Sequence, residues 1–285
     1  MNGALEVVAT GPLTTIQDSG RFGHADLGGG RSGAADLASY ALANRLPANP
    51  FGAAALETTL GGLRVRAHGT LCVAVTGAEV PVTVDGRGAA RDSVLYLADG
   101  AELALGAPAR GLRSYLAVRG GVDVPPVLGS RSTDVLAGLG PELPVPGVVL
   151  PVGPAPDGFP LLDQAPVGPV GGDEIFVRVV LGPRQDWFTE HALETLLSGV
   201  YEVTSRSDRV GARLAGPVLE RSRVDELPSE GMVPGALQVP PGGEPVLFLA
   251  DHPVTGGYPV IAVVRAVDLP RAAQARPGTR VRFRL

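Results

Sequence analysis

Between Ala53 and Val118 the chain repeats one pattern, a short run of apolar and β-branched residues followed by a turn that carries glycine. The runs are residues 53–60, 63–67, 70–76, 81–84, 93–97, 102–105 and 113–118, and Gly-Gly, His-Gly, Asp-Gly, Ala-Asp-Gly and Gly-Ala-Pro separate them. Each run is too short for a buried helix, and even spacing with such turns is the signature of a sandwich or small barrel. The whole chain shares the habit, with 40 Gly and 27 Pro in 285 residues. This predicts a mainly β protein with a few short helices.

Charge and composition remove several classes of function. The net charge of −5 excludes a strongly basic nucleic-acid binder, and the mean hydropathy of +0.20 argues against disorder. All 24 basic residues are Arg, so this chain carries no Schiff-base lysine, P-loop lysine or biotinyl-lysine. The single cysteine, Cys72, sits inside TLCVAVT and is expected as a buried core thiol that forms no internal disulfide. The N-terminal MNGALEVVATG has no basic and apolar leader pattern, and no apolar run approaches a membrane span; a soluble cytoplasmic protein is expected.

In chain order, residues 5–10 and 14–18 read as strands, followed by SGRFGHADLGGGRSGAAD, too glycine-rich for regular structure. Its glycines with Arg21 and Arg31 can cradle an anion. Residues 34–46 have helical spacing, with Ser32 as cap and Pro47 as stop. Glu57 falls inside an apolar run, where an outward strand position is the safer expectation and a buried, paired carboxylate the alternative. LGSRSTD, residues 128–134, is either a second anion-friendly loop or a hydroxyl-rich turn.

The segment 141–172 is proline-rich and reads as an extended connector. It divides a first unit, 1–140, from a second, 173–285. The second opens with the strand 174–181, then an amphipathic helix near 185–197, then an arginine-rich loop at 205–217. In that loop Asp208 among Arg206, Arg209 and Arg213 is either a solvated ion-pair network or an arginine-lined anion site. A faint internal parallel, EVVATGPLTTIQDSG against FVRVVLGPRQDWF, is compatible with two related β units.

The stretch 228–259, PSEGMVPGALQVPPGGEPVLFLADHPVTGGYP, holds two short apolar runs at 236–239 and 245–250 with polar residues around them. Paired as a hairpin, the runs bring a carboxylate, a hydroxyl and a carboxamide together, with the Gly256-Gly257 pair allowing close backbone approach. The plainer reading is a polar turn that satisfies its own backbone.

Taken together, GPLTTIQDSGRFGHADLGGGRSGAAD, ALETTLGG, RSYLAVRGGVDVPPVLGSRST, YEVTSRSDRVGARLAGP, the 228–259 stretch and AQARPGTRVRF resemble the carboxyltransferase-type subunit 2 family. That family includes the C-type subunits of ATP-dependent 5-oxoprolinases, proteins called allophanate hydrolase subunit 2 or kinase-inhibitor antagonist, and part of the urea carboxylase carboxyltransferase region. The resemblance implies two cyclophilin-like β-barrel units. It also implies a subunit 1 (or B) partner completing a composite active site, with a third hydrolase subunit in the 5-oxoprolinase system. Carried over with it are ATP with Mg, through the complex, for a 5-oxoprolinase turning 5-oxoproline into glutamate and inactive as a single chain. For a urea-carboxylase-like enzyme the cofactor is biotin on a separate polypeptide, and a non-catalytic antagonist of a kinase inhibitor is a third possibility.

By position, the resemblance nominates Asp18, Asp251 and Glu230 as catalytic carboxylates that orient or deprotonate the substrate. Gln17, Arg21, Arg119, Ser130, Arg131, Ser132, Ser207, Asp208, Arg209, Gln238, Thr255 and Tyr258 are nominated to bind substrate or phosphate. Arginines would hold anionic oxygens and the two glutamines would read an amide edge. Val254 stands where the family pattern has a hydroxyl residue.

Overall fold

The computed structural model describes residues 3–223 and 225–285. The chain divides into two compact units. The first takes the chain up to Phe22, Asp36–Thr133 and Gly138–Val170; the second takes Gly23–Ala35, Asp134–Ala137 and Gly171–Leu285.

In the first unit, β1 (Ala4–Thr10), β2 (Leu13–Gln17), α1 (Leu37–Arg45), β3 (Ala55–Thr59), β4 (Leu63–His68), β5 (Leu71–Gly77) and β6 (Val82–Val84) come first. After them come β7 (Arg87–Ala89), β8 (Val94–Leu97), β9 (Glu102–Leu105), β10 (Arg113–Val118) and β11 (Val149–Pro151). They form a six-stranded sheet, β11-β1-β4-β9-β6-β7, and a five-stranded sheet, β2-β3-β10-β5-β8. Alternation decides what each sheet buries. Along β4, Leu63, Val65 and Ala67 point inward while Arg64 and His68 point out. Leu5, Val65 and Leu103 from one sheet meet Leu56, Val73 and Leu116 from the other in a single core. Burial of each such side chain contributes about 1.5–3 kcal/mol.

Several expectations change in this unit. Its strands lie in two packed sheets, the sandwich alternative of the strand pattern. Residues 149–151, expected within a connector, pair with β1, and Gly138–Val170 belong to the first unit. The cap of α1 is Asp36, whose carboxylate accepts from the amides of Ala38 and Ser39; Ser32 lies too far back along the chain. Glu57 is buried, not outward, and is paired by Tyr115 and Arg113 of the neighbouring strand β10, on the face away from Leu56 and the core. Cys72 is half-buried, across from Tyr96 on β8, and burial pushes its thiol pKa up, which makes it a poor nucleophile.

In the second unit, β12 (Glu174–Leu181), α2 (Glu190–Ser198), β13 (Tyr201–Val203), β14 (Gly211–Ala215), β15 (Glu230–Gly231) and β16 (Ala236–Gln238) lead to β17 (Val246–Phe248). The chain finishes with β18 (Thr255–Gly256), β19 (Val260–Val264), α3 (Leu269–Ala273) and β20 (Arg280–Arg284). Seven of these close a barrel, β12-β19-β16-β17-β14-β13-β20, with β12 and β20 running parallel where the ring shuts. Closure leaves no free edge. Its interior holds Val177, Leu214, Leu237, Ile261 and Phe283, with Tyr201 tilted on Phe283 at 5.6 Å.

The helix expected near 185–197 is a short 3-10 turn, Gln185–Trp187, then α2, separated by the extended Phe188 and capped by Thr189. The arginine-rich stretch 205–217 contains β14, a strand that the glycine and arginine content conceals. The hairpin of 228–259 forms as β16 paired with β17, while β15 pairs with β18 in a separate two-stranded ribbon. Among the described residues no helix is long and apolar enough to cross a membrane.

Candidate functional site

The nominated residues gather in three clusters. The first lies where β2 runs out into its loop. Asp18 is buried, and its Oδ1 accepts from Gly20 N at 2.8 Å, Ser130 Oγ at 2.7 Å and Ser132 Oγ at 2.5 Å. Its Oδ2 accepts from Arg131 N at 2.6 Å. The serines that looked like an anion loop in the sequence therefore already hold an anion, the carboxylate of Asp18. Beside it Gln17 Nε2 donates to Thr133 O at 2.8 Å and Arg21 Nη2 to Ser132 O at 3.0 Å. Gln17 Oε1 and Arg21 Nη1 are buried with no hydrogen-bond partner among the described residues. That leaves one acceptor and one donor unsatisfied in a desolvated place.

The second cluster belongs to the barrel unit. Arg209, 1% exposed, grips the fully buried Asp251 with two bonds of 2.9 Å, Nε to Oδ2 and Nη2 to Oδ1. Ser32 Oγ donates to Oδ1 at 2.6 Å and Val135 N to Oδ2 at 3.0 Å, while Arg209 Nη2 also reaches Gly33 O at 2.7 Å. A planar guanidinium matches a carboxylate in this bidentate way, and burial makes the pair sensitive to loss of either member. Ser32, expected as a helix cap, is held here at φ 49°, a conformation that non-glycine residues seldom adopt. Next in sequence, His252 stacks on Phe248 with its Nδ1 2.8 Å from Pro253 O. A carbonyl only accepts, so Nδ1 carries the proton in the neutral ring. Burial lowers the imidazole pKa and Arg31 lowers it further, against the bond to Pro253 O and the charges of Asp251 and Asp134.

The third cluster surrounds the β15–β18 ribbon, where Glu230 lies opposite Gly256 and Gly231 opposite Thr255. Gln238 Nε2 donates to Tyr258 O at 3.1 Å, and the Tyr258 ring packs 5.7 Å from the Arg221 guanidinium. A Cβ on Gly256 would stand 2.5 Å from Gln238 Nε2, so the glycine is what lets the carboxamide in. Arg184 hydrogen-bonds Glu230 and holds its carboxyl below the usual carboxylate range. The side chains do not converge: Glu230 turns to Arg184, Gln238 to the Tyr258 carbonyl and Asp251 to Arg209. Val254 contributes only a backbone carbonyl, to Met232 N.

The side chains of the remaining nominated residues, and that of Arg131, serve nearby backbone and one carboxylate. Arg119 donates to the carbonyls of Pro47, Pro156 and Gly158, and Arg131 to Val124 O and Asp123. Ser207 Oγ accepts from Arg213 N, and Asp208 closes its own turn by accepting from Val210 N and Gly211 N. Of the arginines of 205–217, Arg209 turns inward to Asp251, while Arg206 and Arg213 line a shallow depression beside Glu244, with Arg206 4.0 Å from it. Tested as a cradle for the phosphates of ATP, Arg21, Arg119, Arg131 and Arg209 do not fit: each is engaged with carbonyls or a carboxylate of its own unit.

Sequence reasoning missed one buried polar group. Tyr115 OH donates to Glu57 Oε2 at 2.7 Å and accepts from Asp36 N at 2.7 Å, with Arg113 Nε 3.6 Å from Glu57 Oε1. The signal was the register that sets Glu57 opposite Tyr115, which appears only once β3 and β10 are paired.

These features define a class: a mostly β chain, a two-sheet unit and a closed seven-stranded barrel, each with a buried carboxylate that pins loops. The chain belongs to the carboxyltransferase domain family, subdomain A and B, which matches residues 27–285. It is 36% identical to the 5-oxoprolinase C subunit of Escherichia coli, over 98% of this chain and 90% of that protein. Urea amidolyase of Lachancea kluyveri is 33% identical over 98% of this chain, which corresponds to only 17% of the amidolyase. The crystal structure of the K. lactis urea amidolyase superposes with a TM-score of 0.93 at 32% identity, over 98% of this chain and 18% of that one.

Proposed function

We propose that this chain is the C-type subunit of an ATP-dependent 5-oxoprolinase that opens the lactam of 5-oxoproline to give glutamate. The observation that carries this reading is the match, at 36% identity, to 90% of a bacterial 5-oxoprolinase C subunit. The working enzyme then needs a subunit 1 (B) partner and a third hydrolase subunit. Because Arg119, Arg131 and Arg209 bond groups of their own units and Arg21 is buried, the nucleotide is assigned to residues of a partner protein.

On this reading Asp18 and Asp251 orient loops, since both oxygens of each already accept hydrogen bonds. Glu230, held ionised by Arg184, is a weak base.

A second reading is carboxyl transfer to urea, favoured by the similarity to urea amidolyases over 98% of this chain. In that case biotin would arrive on another polypeptide, as this chain has no lysine. The test is co-expression with the candidate partner subunits and assay of ATP-dependent glutamate release from 5-oxoproline, leaving out one chain at a time. Turnover that needs every chain supports the first reading. Turnover by this chain alone contradicts it, and carboxylation of urea from carboxybiotin without glutamate release replaces it with the second.

A further inference from the structure

β8 lies at the edge of the five-stranded sheet, and the residues entering it are tied to the proline-rich segment. Ser93 and Gln164 form an antiparallel bridge, Ala165 N donates to Asp92 O at 2.8 Å, and Val94 N donates to Asp163 O at 2.8 Å. Against this seam opens a depression of 610 Å³ whose polar side chains are Arg91, Asp92 and Gln164. It shares no residue with the three clusters above.

Asp92 is the anomaly. It is 6% exposed and sits at φ 54°, and its Oδ1 has no hydrogen-bond partner among the described residues. A buried carboxylate oxygen left unpaired is costly, and so is a non-glycine residue in this backbone region. The local turn does not need the carboxylate, because Ser93 Oγ already bonds Ala90 O. Arg91 Nη1 stands 3.4 Å from Oδ2 while donating to Gly77 O at 2.9 Å, so the cation faces one oxygen and leaves the other. Burial raises the carboxyl pKa, and Arg91 lowers it in part. A bare cation placed here would be repelled by Arg91; a ligand carrying both charges satisfies both residues.

We propose that this depression binds a small zwitterion of the α-amino acid class, its ammonium on Asp92 Oδ1, its carboxylate toward Arg91 and Gln164 at the rim. Occupation supplies the donor that Oδ1 lacks. The site is independent of the 5-oxoprolinase reading, because L-alanine fits the same description as L-glutamate.

The experiment is calorimetric titration of the full chain with L-alanine and with L-glutamate, using propionate and glutarate as controls without the ammonium. Saturable binding of the amino acids, absent for the controls, is expected. Asp92→Asn keeps the shape and tolerates the same backbone angle, so it should weaken binding at least about tenfold while the ligand-free melting temperature stays level or rises. Gln164→Ala, on the exposed rim, should weaken binding by a smaller factor and leave melting unchanged. No saturation by either amino acid, equal affinity in Asp92→Asn, or an Asp92→Asn chain that melts below the parent would each overturn the proposal.

Discussion

Two of the buried carboxylates, Asp18 and Asp251, do one job by different electrostatics. Asp18, in the two-sheet unit, is held by neutral donors alone: two hydroxyls and two backbone amides. Asp251, in the barrel unit, is held by a guanidinium as well as by a hydroxyl and an amide. Neutral donors stabilise an anion without burying a second charge, so losing one of them removes one bond. A buried ion pair behaves otherwise, because its desolvation cost was offset only by mutual attraction, and removing one partner exposes the full cost of the other. The first cluster should therefore degrade gradually and the second abruptly.

The largest expected effect is Asp251→Asn, which takes from Arg209 the charge it faces and should destabilise the barrel unit by about 3–5 kcal/mol. The single tryptophan, Trp187, is buried in that unit's core, so urea unfolding followed by its fluorescence reads the change. Asp18→Asn keeps one acceptor oxygen and should cost less, about 1–3 kcal/mol by denaturant unfolding followed by circular dichroism. Losses equal to those of Asp251→Asn would erase the contrast. Ser132→Ala should cost about 1 kcal/mol, since it removes a hydroxyl that both donates to Asp18 Oδ1 and accepts from Asp18 N. Ser32→Gly should fall near zero in the same measurement, because the lost bond to Asp251 is offset by relief of the backbone at φ 49°.

The smallest effect is in pH. His252 has a folded pKa below its unfolded value, so the unfolded chain takes up the extra proton first and stability falls as pH drops from about 6.5 toward the folded pKa. His252→Gln should flatten this part of the melting-temperature profile. An unchanged profile would assign that dependence to another group.

The sequence carried the strands well where one face alone meets the core. The alternation in β4 and the glycine turns around it needed no tertiary information, nor did the β16–β17 hairpin. It carried less where partners are distant along the chain. Ser32 reads as the cap of a helix starting at residue 34, but the helix starts at Leu37 behind Asp36, and Ser32 binds Asp251 instead. Glu57 looks like an outward residue until β10 brings Tyr115 opposite it. The 149–151 strand reads as connector because proline content hides a pairing supplied by β1. In the site, Arg209 and Asp251 were both legible as functional candidates from the family pattern. Their mutual bidentate bond was not, being a contact between residues far apart in sequence.

The most direct test is a double-mutant cycle over Asp251→Asn and Arg209→Met, with unfolding read from Trp187. A clamp of the kind described gives a coupling free energy above about 2 kcal/mol, because each single change strands the other residue while the double change removes both charges. A coupling below about 0.5 kcal/mol would mean that the two side chains act independently, and the role of Asp251 as loop anchor would fall with it.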